Sequence, residues 1–292
     1  MKKYISIILL IFLSFNILLN FSNIAKSGTN EKNTLYVGGT GKGNYSSIKE
    51  AINIALNGNS IYVYNGSYFE NISINKSINL IGENNQHTII YGQLNILKIN
   101  GNFTTITGLK IKCLLNQNEV EKKYIGIELV DANYCEIKNC IITNFQYGLY
   151  FTNSKNNIVE NNTISNNTQA IYLSDRCENN IIFHNNFLNN SQKSFDEGNN
   201  SWFNFNEGNY WDDYNGLDKN NDGIGEKSYL IAGGENKDKY PLMMPYQGKL
   251  RLKEFYIDYD SLYRMLIIGL GVAIIFCLPI AYYWYRKYYK KK

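Results

Sequence analysis

Apolar and polar residues alternate in short runs along the middle of this chain, and the runs return in step. Cys135-x-Ile137-x-x-Cys140-x-Ile142 comes back as Asn157-x-Val159-x-x-Asn162-x-Ile164, and again as Asn180-x-Ile182-x-x-Asn185-x-Phe187. A second set keeps the same step: Gly126, Ile127 and Leu129, then Gly148, Leu149 and Phe151, then Ala170, Ile171 and Leu173. The period is about 22 residues, in the range of solenoid repeats. Such short alternation predicts strands with one face inward, and strands this short bury that face only by stacking repeat on repeat. About 22 residues hold three of them plus bends, so the pattern predicts a parallel β-helix. Asparagine tolerates the left-handed conformation at the bends, and stacked amides can hydrogen-bond from coil to coil in a ladder.

Other elements flank the repeats. Thr34–Val37 reads as a strand, followed by a glycine-rich turn from Gly38 to Gly43. Ser47-x-x-Glu50 is a capping box, with Ile48, Ala51, Ile52, Ala55 and Leu56 at helical spacing and Gly58 as the stop. That helix is placed as a cap over the first coil. Thr104-x-Ile106-x-x-Leu109-x-Ile111 keeps the later frame, and the longer gap after it makes Leu114 to Lys122 an insertion loop. Trp202, Tyr210 and Trp211, with one or both of Phe203 and Phe205, are expected to plug the last coil.

The N-x-I-x-x-N-x-I rhythm resembles the right-handed parallel β-helix repeats of the NosD-like family, also described as carbohydrate-binding and sugar-hydrolase repeats. The stretch Gly208-Asn-Tyr-Trp211-Asp-Asp-Tyr214 through Asp218-x-Asn220-x-Asp222-Gly223-x-Gly225 to Tyr240-Pro241-Leu242 is similar to the segment closing many archaeal surface proteins of that family. The resemblance covers Thr34 to Tyr246 and implies fold more than activity. It also implies an alternative role as an accessory factor in copper-enzyme maturation. Copper wants His, Met or Cys together; His184 instead shares a column with Asn139 and Asn161, and Met243 and Met244 belong to the closing segment.

The expected organisation is all-β: a right-handed parallel β-helix with an N-terminal capping helix and a C-terminal transmembrane helix. Residues 1–25 read as a signal peptide, with an uncleaved anchor as the other reading; 32–205 as the capped β-helix; and 206–246 as a closing segment. Residues 247–261 read as a connector, 262–285 as a transmembrane helix with an aromatic belt, and 286–292 as a basic cytoplasmic tail that places the β-helix outside the membrane. Seven of the 29 basic residues sit at the two ends, leaving 22 against 25 acidic residues between them. That balance disfavours a nucleic-acid partner.

The candidate chemistry is sparse. Asp218, Asn220, Asp222, the Ile224 carbonyl and Glu226 match positions 1, 3, 5, 7 and 9 of a calcium loop, with Tyr229 where the bidentate Glu belongs. The alternative is an Asx-rich turn. Tyr150 and Tyr172 lie one repeat apart on an outer face with Glu128 in their column, a surface suited either to a glycan or to bracing neighbouring strands. A carbohydrate-active enzyme would need grouped carboxylates, and no convergent pair is visible. Cys113, Cys135, Cys140 and Cys177 allow three disulfide pairings or buried thiols. The nine Asn-x-Ser/Thr sequons, from Asn44 to Asn199, are potential glycosylation sites. The function expected is therefore a membrane-anchored surface β-helix that binds glycans or envelope components or serves structurally.

Overall fold

The computed structural model describes residues 34–114 and 123–247. The expected insertion loop beyond Leu114, the expected signal peptide and the expected transmembrane segment lie outside them. Three parallel sheets, of eight, six and seven strands, run through the repeats. The first begins at Thr34–Val37 and ends at Asn199–Ser201; the second runs from Ile72–Ile74 to Gln192–Asp196; the third runs from Gly66–Phe69 to Tyr210–Trp211. Successive turns of the chain contribute one strand to each, which makes this a right-handed parallel β-helix.

Inward columns form the core. In the first sheet Ile61, Leu80, Ile106, Ile137, Val159 and Ile182 stand in register, and all are buried. At roughly 1.5–3 kcal/mol per buried aliphatic side chain, columns of this kind offset the entropy of ordering short strands. In the third sheet Ile90, Ile111, Ile142 and Ile164 give way to Phe187 and then Trp211. Phe187 and Trp211 stack at 4.2 Å and 10°, and Tyr229 stacks on Trp211's ring at 4.1 Å. Trp202 and Trp211 are fully buried, so the expected aromatic plug is built from them, whereas Phe205 is 88% exposed and takes no part.

The asparagines divide into two roles. In Asn156-Asn157, Asn161-Asn162, Asn166-Asn167, Asn179-Asn180 and Asn189-Asn190 the first residue has φ between 51° and 59°, and the second is buried at 0–5% exposure. The first turns the bend; the second points inward and joins the ladder. In one rung Asn162 Nδ2 donates to Asn185 Oδ1 at 2.9 Å and to the Ile137 carbonyl at 2.9 Å, while the Cys140 N–H donates to Asn162 Oδ1. His184 occupies the bend column with Asn139 and Asn161, at φ 55°.

A helix at Ile48–Ile54 packs on the first coil with Ile48, Ala51 and Ile52 buried. Ser47 caps it, but Glu50 reaches Ser46 and not back to the Ser47 amide. Glu70 caps the first turn instead, accepting the N–H groups of Ile48 (2.8 Å) and Lys49 (3.0 Å) and the Ser47 hydroxyl. At the other end Lys76 Nζ donates to the carbonyls of Ile52, Asn53 and Ala55. The chain leaves the helix at Ala55, so Leu56 is 72% exposed rather than part of the apolar stripe.

Candidate functional site

The outer face of the second sheet carries one register column: Ser73, Lys98, Glu128, Tyr150, Tyr172 and Phe195. Strand pairing in register brings the expected Tyr150, Tyr172 and Glu128 together. Tyr150 and Tyr172 stack at 4.8 Å and 9°, and Phe195 continues the stack at 5.4 Å and 3°. Tyr147 meets both tyrosines edge-on. Phe195 lies 23 residues after Tyr172, so the repeat spacing itself was the signal for it, masked by decay of the Asn rhythm after Asn190.

This stacking consumes ring faces. Both faces of Tyr172 are covered by its neighbours, which raises strand-to-strand cohesion and leaves edges and hydroxyls for solvent. Burial, and the Glu197 carboxylate that accepts its hydroxyl at 3.1 Å, push the Tyr172 phenol up to about 12. Over Tyr150 stands the Lys123 ammonium, 4.5 Å from the ring centroid and donating to the Tyr150 hydroxyl at 3.1 Å. Glu128 is held by Asn95 Nδ2 at 2.9 Å and Lys98 Nζ at 3.8 Å.

Where the column meets Lys123, the surface sinks into a cleft of about 440 Å³ lined by Asn71, Leu94, Asn95 and Lys123. Leu94 sits there at φ 62°, a conformation costly for a side chain of its size and one that gathers at functional sites. The cleft therefore has a cation, an amide and an apolar wall, with a tyrosine and a carboxylate at its rim. Glu128 and Glu197, the acidic groups beside the stack, lie three strands apart. At the usual strand spacing that is on the order of 14 Å, beyond the roughly 5–10 Å of paired glycosidase carboxylates.

The calcium-type loop is folded around its own side chains. Asp218 accepts the N–H groups of Asp222 and Gly223, Asn220 Oδ1 accepts the N–H of Asp222, and Asp222 accepts that of Ile224. Glu226 accepts from the Lys219 N–H at 2.9 Å. Among the described residues no three His, Cys, Asp or Glu side chains gather within reach of one ion.

Among the described residues the soft donors do not gather into a copper centre. Cys113, Cys135, Cys140 and Cys177 are buried free thiols; burial raises Cys135 and Cys177 and pushes Cys140 up to about 12, keeping these last three protonated. His184 contacts Glu207 at 2.5 Å and stacks on Tyr246 at 3.9 Å.

Three parallel sheets, an amide ladder and an aromatic outer column define a β-helix repeat protein. The description "Periplasmic copper-binding protein (NosD)" matches residues 23–216, and the chain belongs to that family. A probable ABC transporter binding protein NosD from Stutzerimonas stutzeri is 31% identical over 158 residues. The match covers 48% of this chain, which spans about a third (34%) of that relative's length. Among solved structures, an alginate lyase from Paenibacillus is 20% identical with a TM-score of 0.42, covering 48% of this chain and 54% of that one. The catalytic domain of a GH87 α-1,3-glucanase is 19% identical, with a TM-score of 0.47 and coverage of 57% and 32%. Carrot pectin methylesterase is 15% identical, with a TM-score of 0.43 and coverage of 63% and 73%.

Proposed function

We propose that this chain is an extracytoplasmic, membrane-anchored β-helix that binds a glycan or envelope component at the cleft beside Lys123. The observation that carries it is the convergence of Lys123, Asn95 and strained Leu94 on one cleft at the head of a rigid aromatic column. Tyr150 and Glu128 supply hydroxyl and carboxylate partners at its rim, while Tyr172 and Phe195 brace the platform. The apolar run at 262–285 and the basic residues after it support a single span with its C-terminus in the cytoplasm, and the family description supports an extracytoplasmic place for the β-helix. In this reading the helix Ile48–Ile54 closes the open edge of the first coil. Protease added outside intact cells then digests the β-helix and spares a tag placed after Lys292; loss of the tag reverses the topology.

A glycan-array screen of the solubilised full-length chain, run beside Lys123→Ala and Tyr150→Phe, tests the binding role. Binding that falls at least tenfold in Lys123→Ala supports the cleft. Binding unaffected by either change removes it.

A second reading, an accessory role in copper-enzyme maturation, draws on the family description alone. A copper titration of the same protein decides it, with stoichiometric binding as the supporting outcome. We also assign a structural calcium ion to the loop at Asp218, Asn220, Asp222, Ile224 and Glu226, whose alternating oxygens fit a hard cation.

A further inference from the structure

The first sheet ends in another cleft, of about 460 Å³, between its last two coils and the hairpin that pairs Tyr229–Leu230 with Lys237–Asp238. Asn179 and Asn199 project from the coils, Glu235, Lys237 and Lys239 from the hairpin, and Phe203 forms the apolar wall. The hairpin is fixed in place: Asn236 Nδ2 donates to the Gly198 carbonyl at 2.7 Å, and Asp238 is buried beneath it. The cleft is therefore built, with walls that belong to packed elements.

Several of its polar side chains are uncommitted. Some surface lysines pair with carboxylates, as in Lys155 with Glu178 at 2.8 Å and Lys98 with Glu128. Here the side chains of Asn179, Asn199, Glu235 and Lys237 make no hydrogen bond or ion pair among the described residues. Lys239 is held 5.2 Å from the Phe203 ring centroid, and Tyr240 packs edge-on against the same ring. Two ammonium groups against one carboxylate favour a singly charged anion. Each Asn amide both donates and accepts, which suits neighbouring hydroxyls that must do the same. A volume of this size is in the range of small-molecule sites.

We propose that this cleft binds a carboxylated sugar unit of an extracytoplasmic polysaccharide. Lys237 and Lys239 take the carboxylate, Asn179 and Asn199 take ring hydroxyls, and Phe203 meets the apolar edge of the sugar. Glu235 accepts a further hydroxyl and disfavours more highly charged anions. It shares no residue with the cleft beside Lys123, so the two stand or fall separately.

Isothermal titration of the full-length protein with trimers of galacturonate, glucuronate and mannuronate tests it, with a neutral galactose trimer and sodium acetate as controls. At least one uronate trimer is expected to bind, more weakly as salt rises. Lys237→Met with Lys239→Met lowers that affinity tenfold or more, and Asn179→Ala with Asn199→Ala lowers it severalfold. These residues are exposed, so an unchanged melting temperature separates lost binding from lost folding. Absence of binding by all three uronates, equal binding of the neutral trimer, displacement by acetate alone, or full affinity in the double lysine variant overturns the proposal.

Discussion

Asp238 stands where the next asparagine of the ladder would stand. Its Oδ2 accepts the backbone N–H of Asn209 at 2.7 Å, just as Asn209 Oδ1 accepts that of Asn185 at 3.0 Å. The same oxygen takes the Trp211 indole N–H at 2.9 Å, so one carboxylate ends the ladder and fixes the aromatic lid. Gly208 is required beside it, because a Cβ there would lie 1.8 Å from Asp238 Oδ1. The Gly-Asn-Tyr-Trp motif is thus a closing device: room for the carboxylate, a last rung, and a lid.

Burial pushes the Asp238 carboxyl up from 3.8 to about 6 despite those donors. The folded chain therefore holds this proton more tightly than the unfolded chain, whose carboxylates titrate near about 3.9. The contribution of this group to stability is fully present below pH 4 and is lost as pH rises through 6, a change on the order of 3 kcal/mol. Asp238→Asn should flatten the melting profile between pH 4 and 7. Asp196, also raised by burial, retains part of the slope. A profile equally steep in both proteins refutes the assignment.

The two asparagine roles predict opposite tolerances at adjacent positions. Asn157→Ala removes the acceptor of the Cys135 N–H and the donor to Ala132 and Asn180, leaving buried groups unpaired at about 2–3 kcal/mol. Melting should fall by roughly 5–10 °C. Asn156→Gly, at φ 57°, should be within about 0.5 kcal/mol of the parent, whereas Asn156→Val costs about 1–2 kcal/mol. Equal effects of Asn156→Gly and Asn157→Ala would contradict this division.

At the other end, charged groups at both termini of the short helix hold it to the first coil. Lys76→Met removes three charge-assisted bonds to carbonyls at 2.8–2.9 Å, for a loss of about 2–3 kcal/mol. Hydrogen exchange of residues 48–54 should speed up while the amides of residues 158–188 stay protected. Uniform acceleration across both would show that the helix is not a separate closing element.

Calcium is tested by the Asp222→Ala variant. A cation held by the folded loop adds RT ln(1 + [L]/Kd), about 2.7 kcal/mol at a hundredfold excess over Kd. Calcium should raise the melting temperature of the parent protein and not of the variant, with the two alike in chelator. If calcium leaves the parent's melting unchanged, the loop is an Asx turn held by its own amides.

The sequence by itself determined the coil. Period, inward columns and left-handed bends are local or repeat in step, and each repeat can satisfy its backbone only by pairing with the next. It also placed Tyr150, Tyr172 and Glu128 in one column, because register follows from spacing. What the tertiary structure decided lies between segments far apart in the chain. Glu70, 22 residues beyond Ile48, takes the first helical amides that the local pattern left to a capping box. Asp238 completes a ladder from 29 residues beyond Asn209. The cleft at Lys237 exists only because a hairpin folds back over the last coils. Periodicity has no term for such contacts: they depend on which loop the closed core leaves within hydrogen-bonding reach, and that is fixed only when the coils have stacked.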